Sequence, residues 1–349
     1  MEDGASAIVE SGVHFYTEDE RSYVPPREDS VLAKLEKWKD MKLGFMIHFG
    51  SYSQWGIVES WALSDDDADW SRKNIAFDAK TLKERYAALH RTFNPVRFAP
   101  EEWATAAFEG GFKYFIFTTK HHDGFAMYDT KQSDYKITSP ECPFHVNPNA
   151  DATRSLFDAF RAKGLSVVAY FSKPDWHCPD YWEPGVPSRF PSRGPTYDPL
   201  SEPGKWEKFK AFTRAQIDEL MSDYGPIDAL WLDGGWVNPN ADGQDLDMAR
   251  IAADTRIKQP GLIIVDRTVG GEYENYQTPE LTIPKTPLLI PWESNITIGT
   301  SFSYKYDDEY KSERELIHTL IEVVAKGGNL VLNAGARPDG RLPEPVVFA

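Results

Sequence analysis

The stretch Ile227-Asp228-Ala229-Leu230-Trp231-Leu232-Asp233-Gly234-Gly235-Trp236 contains a short apolar run that ends abruptly in a carboxylate, two glycines and a tryptophan. The run predicts a buried strand. A carboxylate where a core strand runs out is costly to bury unless it has partners or a function. The glycines let a backbone or ligand approach closely, and the indole offers a flat apolar wall. A rigid carboxylate beside an aromatic platform suits a carbohydrate site. In isolation, the plainer reading is an aspartate that caps the next turn. The choice depends on whether other strand ends repeat the pattern.

They do. Strand-like runs occupy 43–50, 113–119, 165–172, 227–233, 262–268, 288–293 and 329–335. Their apolar character is continuous rather than alternating, as in parallel strands covered on both faces. Helical patterns lie between them. Residues 100–108 open on Pro100 and stop at Gly110-Gly111, 151–163 stop at Gly164, 205–224 form a long amphipathic run, and 312–326 open on a Ser312-to-Glu315 capping box. Strand-then-helix repetition leaves a (β/α)8 barrel or an open doubly wound sheet. No Gly-x-Gly-x-x-Gly follows the first strand. His48, His121, His122, Asp123, Asp175, Trp176, Asp233, Arg267 and Glu293 all fall at or just after predicted strand ends. A barrel gathers such ends into one site, whereas an open sheet scatters them. The fold class expected is α/β, a TIM-like (β/α)8 barrel over 31–349, preceded by a polar N-terminal arm over 1–30.

Composition narrows the function. The chain has 349 residues and a formal net charge of −16, which argues against nucleic acid and equally against an anionic substrate or a membrane surface. Its 11 Trp and 16 Tyr fit a protein that stacks on sugar rings. Two cysteines, Cys142 and Cys178, give neither a disulfide framework nor a zinc motif. No apolar run is long enough to cross a membrane, and the acidic start lacks a basic-then-apolar signal pattern. Both a cytoplasmic location and secretion after leader removal fit. Asn295-Ile296-Thr297 matches a glycosylation acceptor in a context that reads as buried.

Ordinary glycoside hydrolysis needs two carboxylates flanking the scissile bond. Asp233, short and held on a rigid strand, is the nucleophile candidate. Its partner is Glu280, in Tyr276-Gln277-Thr278-Pro279-Glu280, or Glu293, in Pro291-Trp292-Glu293-Ser294. Arg267 can bind a sugar oxygen or hold a carboxylate ionised. Three histidines at two strand ends suit hydroxyl recognition. They could also ligate a metal, but His121 and His122 on an extended segment would point in opposite directions. No metal and no cofactor are expected.

With these residues assembled, the chain resembles the α-L-fucosidases of glycoside hydrolase family 29 from about Leu32 onward. The resemblance rests on Lys42-Leu43-Gly44-Phe45-Met46-Ile47-His48-Phe49-Gly50, Thr119-Lys120-His121-His122-Asp123-Gly124-Phe125 and Leu230-Trp231-Leu232-Asp233. It continues through Asp266-Arg267, Tyr276-Gln277-Thr278-Pro279-Glu280, Trp292-Glu293 and Lys326-Gly327-Gly328-Asn329-Leu330-Val331-Leu332-Asn333. It implies a retaining exo-hydrolase on a (β/α)8-like barrel that removes terminal α-L-fucose from a fucosylated oligosaccharide or glycoconjugate. Asp233 matches the family's nucleophile, and Trp231 sits two places before it. His48, His121, His122 and Arg267 match the fucose-binding residues, and Trp61 matches the pocket tryptophan. The acid/base falls at the position of Glu280 or of Glu293, with the Thr-Pro-Glu context favouring Glu280. Trp61, Trp236 and Trp292 are expected to pack on the sugar's apolar face.

The chain departs from the pattern in three places. Phe49 replaces a more frequent tryptophan. Ser60 separates Glu59 from Trp61, which are often adjacent; Glu59 stays among the candidate substrate-binding residues. The chain ends where members usually continue into a C-terminal β-sandwich, so only the catalytic domain is expected. Alternatives are a catalytically silent sugar-binding barrel, a metal-dependent hydrolase, and a hydrolase of a related galactose-configured sugar.

Overall fold

Side chains along each strand alternate between two apolar environments. The computed structural model describes residues 22–64, 71–72, 75–189, 193–241 and 243–347. Among these, seven strands form one sheet: β1 (Leu43–His48), β2 (Tyr114–Lys120), β3 (Ser166–Ser172), β4 (Ala229–Asp233), β5 (Ile263–Asp266), β6 (Glu293–Thr297) and β7 (Asn329–Gly335). Their order is β5-β4-β3-β2-β1-β7-β6, and every neighbouring pair is parallel. Met46, Tyr114, Ile116, Val168, Tyr170, Ala229, Trp231 and Val265 share an inner cluster. Their sequence neighbours Phe45, Ile47, Phe115, Phe117, Ala169, Leu230, Leu232 and Ile264 face outward to a larger core. Both faces are therefore covered, which is why the strands read as unbroken apolar runs. The sheet is a curled, parallel α/β half-barrel.

Segment 273–281 lies between the two edge strands. Asn275 donates its N–H to Ile264 O (2.9 Å), and the Glu293 N–H donates to Gln277 O (2.8 Å). An arm residue braces this segment, with the Gln277 side-chain amide donating to Ser22 Oγ (3.2 Å). Residues 1–21 of the expected N-terminal arm lie outside the described residues.

The helices are α1 (Asp29–Met41), α2 (Ala79–Ala87), α3 (Pro100–Glu109), α4 (Ala152–Ala162), α5 (Pro203–Asp223), α6 (Met248–Lys258), α7 (Glu313–Ala325) and α8 (Glu344–Val347). Their ends follow the expected signals. Pro100 opens α3, the Asp151 side chain caps α4 by accepting from the Arg154 N–H, and the Ser312–Glu315 capping box opens α7. Helix α1 begins at Asp29 and sends Leu35 and Trp38 into the inner cluster, closing the N-terminal end of the sheet's interior.

One strand is displaced from its expected place. Pairing was expected over 288–293 but runs over Glu293–Thr297. Pro287 and Pro291 have no N–H to give to a ladder, and regular pairing begins only after them. Glu293 consequently opens β6 instead of ending it, at the end of the sheet opposite His48, which closes β1.

Candidate active site

Asp233 is the last residue of β4 and pairs in register with Ser172, the last of β3. Inward-facing Tyr170, two residues earlier on β3, donates its hydroxyl to Asp233 Oδ2 (2.6 Å). Arg267, just beyond β5, places Nη1 3.0 Å from Oδ1, and His122 Nε2 lies 3.4 Å from Oδ2. Burial alone would raise this carboxyl, but Arg267, His122 and the Tyr170 hydrogen bond hold it well below the usual carboxylate range. Asp233 is thus a largely buried carboxylate held in its ionised form, the chemistry an oxygen nucleophile needs. Gly234 turns the chain immediately after it with φ +90°, where a Cβ would come within 2.4 Å of Pro174.

The histidines gather on the same side. His48, the last residue of β1, has Nδ1 2.6 Å from Asn333 Oδ1. The Asn333 amide nitrogen donates to Phe302 O (2.7 Å), which directs its carbonyl oxygen at His48. His48 therefore donates from Nδ1 and leaves Nε2 as an acceptor. His121 Nδ1 meets Ser60 Oγ, and that same oxygen accepts the Asp123 N–H (3.1 Å). The serine between Glu59 and Trp61 thus ties the 59–63 turn to the end of β2. The rings of His121 and His122 are 4.3 Å apart and inclined at 46°, not on opposite sides as extended geometry demands. The ladder slips between Thr118 and Lys120 and β2 ends there, so both histidines sit in a turn and face inward. Burial lowers His48 and His122 to about 4 and His121 well below its ordinary value. All three are neutral near pH 7, able to donate and accept.

Glu59 and Trp61 come from a single 3-10 turn, Glu59–Leu63. The Glu59 carboxyl is buried, and its pKa is pushed up to about 8 by desolvation. It is a neutral acid at neutral pH, with Oε1 unpartnered. Trp61 packs against His122 (5.4 Å) and Trp236 (5.9 Å), and Trp236 against His122 (5.0 Å). The Arg193 guanidinium lies over both indoles, 5.0 Å and 5.2 Å from the ring centroids. Trp61 and Trp236 thereby form an aromatic wall over His122.

The remaining candidates separate. Glu280 reaches Arg267 Nη2 with Oε2, so one guanidinium holds both Glu280 and Asp233. Glu293 lies in the interior, accepting from the Tyr114 hydroxyl (2.7 Å). Burial pushes its pKa up to about 7. Trp292, expected on the sugar face, points outward and packs in the core against Gly328, where a Cβ would come within 2.5 Å of the indole. Alternation explains the correction, since the residue before inward-facing Glu293 must face out. Trp231 is also fully buried. It carries Tyr170 stacked at 5.0 Å and the Arg267 guanidinium at 5.0 Å, so it supports the site from below instead of lining it.

Tyr170, Ser60, Asn333 and Arg193 were missed as site residues. Period-two counting back from the end of β3 would have found Tyr170, and Asn333 pairs in register with Met46 beside His48. The Ser60 and Arg193 contacts are tertiary and leave no local signal. Asp123 and Asp175 are structural. Asp123 accepts from Tyr86 (2.9 Å) and the Phe125 N–H (3.0 Å), while Asp175 pairs with buried Lys120 at 2.9 Å. Asn295 of the glycosylation triplet is buried in β6, and both cysteines are free and buried.

Donor atoms of His121, His122 and Asp233 lie within 4.8 Å of one another, a spacing that could hold a cation. Asp233 already faces the Arg267 cation at 3.0 Å, which opposes a second positive charge there. An ionised carboxylate, a second carboxylate on the same arginine, neutral imidazoles and an indole wall are the parts of a glycosidase pocket.

Comparison with known proteins agrees. The family model for Alpha-L-fucosidase matches residues 13–347. The Alpha-L-fucosidase of Dictyostelium discoideum is 26% identical over 89% of this chain, and the chain spans 67% of its length. Alpha-L-fucosidase isoenzyme 1 of Paenibacillus thiaminolyticus superposes with a TM-score of 0.74 at 27% identity, covering 91% of this chain and 74% of that one. The α-L-fucosidase AlfC of Lactobacillus casei, solved with its α-L-fucose product, gives 0.68 at 26% identity over 90% of this chain and 95% of its own. A variant of AlfC has been solved with Fuc-α(1,6)-GlcNAc. With a match that runs through every strand carrying the site, the chain belongs to the alpha-L-fucosidase family of glycoside hydrolases.

Proposed function

We propose that this chain releases terminal α-L-fucose with retained configuration, using Asp233 as nucleophile and Glu280 as acid/base on the C-terminal face of a (β/α)8-like barrel whose catalytic domain spans 31–349. The observation that carries the reading is the single guanidinium of Arg267 between Asp233 and Glu280. Carboxylates sharing one guanidinium fit the roughly 5–5.5 Å separation of a retaining pair better than the roughly 6.5–9.5 Å of an inverting pair.

In the first step Asp233 Oδ attacks the anomeric carbon as Glu280 gives its proton to the departing glycosidic oxygen. In the second, Glu280 takes a proton from water, which displaces Asp233 and frees fucose. Protonated Glu280 cannot serve as an anion for Arg267, so that contact opens as the sugar enters and Arg267 then holds Asp233 alone. Neutral His48, His121 and His122 bind ring hydroxyls, and protonated Glu59 adds a donor. Trp61 and Trp236 cover the apolar face and the C6 methyl. Glu293 opens β6, deep among tyrosines, which weighs against its direct contact with the leaving oxygen. Fucosylated oligosaccharides or glycoconjugates are the proposed substrates. A galactose-configured sugar shares most of these hydroxyl contacts.

The test is turnover of aryl α-L-fucosides and β-galactosides by the wild type and by Asp233→Ala. Fucoside turnover that vanishes in the variant supports the proposal; equal activity in both proteins sinks it.

A further inference from the structure

Lys173 and Asp266 form a buried ion pair that the proposed reaction does not use. Lys173 follows Ser172, the last residue of β3, and Asp266 is the last residue of β5. Strand β4 lies between those two, so the pair reaches across the strand end that carries Asp233. Each partner stands two residues beyond a side chain of the outer core, Phe171 and Ile264. Alternation therefore keeps both behind the sheet, while Asp233 and Arg267 face the interior. Their side chains are 1% and 5% exposed. Taking two charges out of water is costly, and a well-packed apolar pair of similar volume serves stability as well or better. What the ammonium supplies instead is direction, because it donates to oxygens at fixed places on two neighbouring loops.

We infer that Lys173 is a positioning residue that sets Asp233, Arg267 and Trp236 relative to one another, which rests on the reading of Asp233 as the nucleophile. Its backbone N–H donates to Asp233 O (2.9 Å). Its Nζ donates to Val237 O (2.8 Å), next to Trp236, and to Asp266 Oδ1, next to Arg267. One residue thus holds the chain at, or one position from, three groups of the pocket. The two loops it joins also touch each other. A Cβ on Gly235 would strike Thr268 and the Arg267 carbonyl, so the turn after Asp233 lies directly on the backbone of Arg267. On the other side of Arg267, the Glu274 carboxyl accepts the Thr268 and Gly270 N–H groups (2.9 and 2.7 Å). The arginine is therefore braced on both flanks, by Lys173 through Asp266 and by Glu274 through Thr268. Loss of the ammonium lets the 233–237 turn and the end of β5 shift against each other. Misplacing a reacting group by roughly 1 Å costs about a hundredfold in rate.

The test uses the full chain with Lys173→Met and Asp266→Leu combined, assayed for kcat and KM on an aryl α-L-fucoside across pH, alongside Tm. The apolar pair leaves no unpaired charge behind, so Tm is expected to match the wild type or exceed it. The kcat is nevertheless expected to fall about ten- to a hundredfold, with KM changed less than about threefold. The acid limb of kcat/KM moves to higher pH, because Arg267, the cation facing Asp233 beside neutral His122 and the Tyr170 hydroxyl, is displaced. If the combined variant does not fold, Lys173→Gln, too short to reach Val237 and Asp266 together, carries the same kcat loss and the same shift. Wild-type kcat, or an unmoved acid limb, in a folded variant overturns the inference and leaves the fucosidase reading intact. A wild-type protein that does not turn over the aryl fucoside overturns that reading, and the role of Lys173 with it.

Discussion

Arg267 joins Asp233 to Glu280: Nη1 lies 3.0 Å from Asp233 Oδ1, and Nη2 contacts Glu280 Oε2. The residue therefore has two duties. It keeps Asp233 ionised, and it pairs with Glu280, the proposed acid/base. Arg267→Met removes both. Asp233 then loses the largest influence holding its pKa down, so the acid limb of kcat/KM moves to higher pH. The measurement is the pH–rate profile on an aryl α-L-fucoside, with kcat/KM reduced at least about a hundredfold near pH 7. An unmoved acid limb contradicts this role.

Glu280→Ala separates proton transfer from positioning. Turnover of substrates with poor leaving groups is expected to fall by about 10²–10⁴, while activated aryl fucosides form the glycosyl-enzyme at close to the normal rate. Azide then restores turnover and yields the α-fucosyl azide, because it attacks the intermediate without needing a base. Product analysis by NMR checks the configuration.

The tryptophans should divide by the face they occupy. Trp61→Ala opens the wall over His122 and is expected to raise KM or lower kcat/KM about tenfold with little change in Tm. Trp292→Ala leaves a cavity beside Gly328 and costs about 3–5 kcal/mol of stability, with KM near the wild-type value. Paired thermal melts and kinetics distinguish the two; a large KM effect at Trp292 would return it to the pocket.

Stability should depend on pH through the buried acids and histidines, with opposite signs. Burial raises Glu59 from 4.5 to about 8, so the folded chain binds a proton that the unfolded chain has released. That contribution is complete below pH 4.5 and is lost as pH rises toward 8. His48 and His122 are lowered from 6.5 to about 4, so their contribution is complete above 6.5 and is lost as pH falls. Between pH 6.5 and 8 only the acid term remains, and Tm should decline. Glu59→Gln is expected to flatten that decline in a series of melts across this window.

Much of the architecture was legible because parallel strands buried on both faces leave unbroken apolar runs, and helix ends carry local cap chemistry. Asp233, His48 and Arg267 were found because each sits where such a run stops. The errors arose where a local rule met a neighbouring constraint. Prolines 287 and 291 delayed β6 and reversed the place of Glu293, and alternation then turned Trp292 into the outer core. The slip at Thr118 and Lys120 swung both histidines inward. Ser60 and Arg193 reach the site only through tertiary contacts, which no spacing in the chain records.

The central claim is that Asp233 forms the covalent bond to fucose. Its most direct test is trapping with 2-deoxy-2-fluoro-α-L-fucosyl fluoride, followed by peptide mass spectrometry of the labelled chain. Time-dependent inactivation with a single fluorofucosyl adduct on Asp233, and none on Glu280 or Glu293, is expected. Inactivation with the label on another carboxylate, or undiminished labelling of Asp233→Asn, would contradict it.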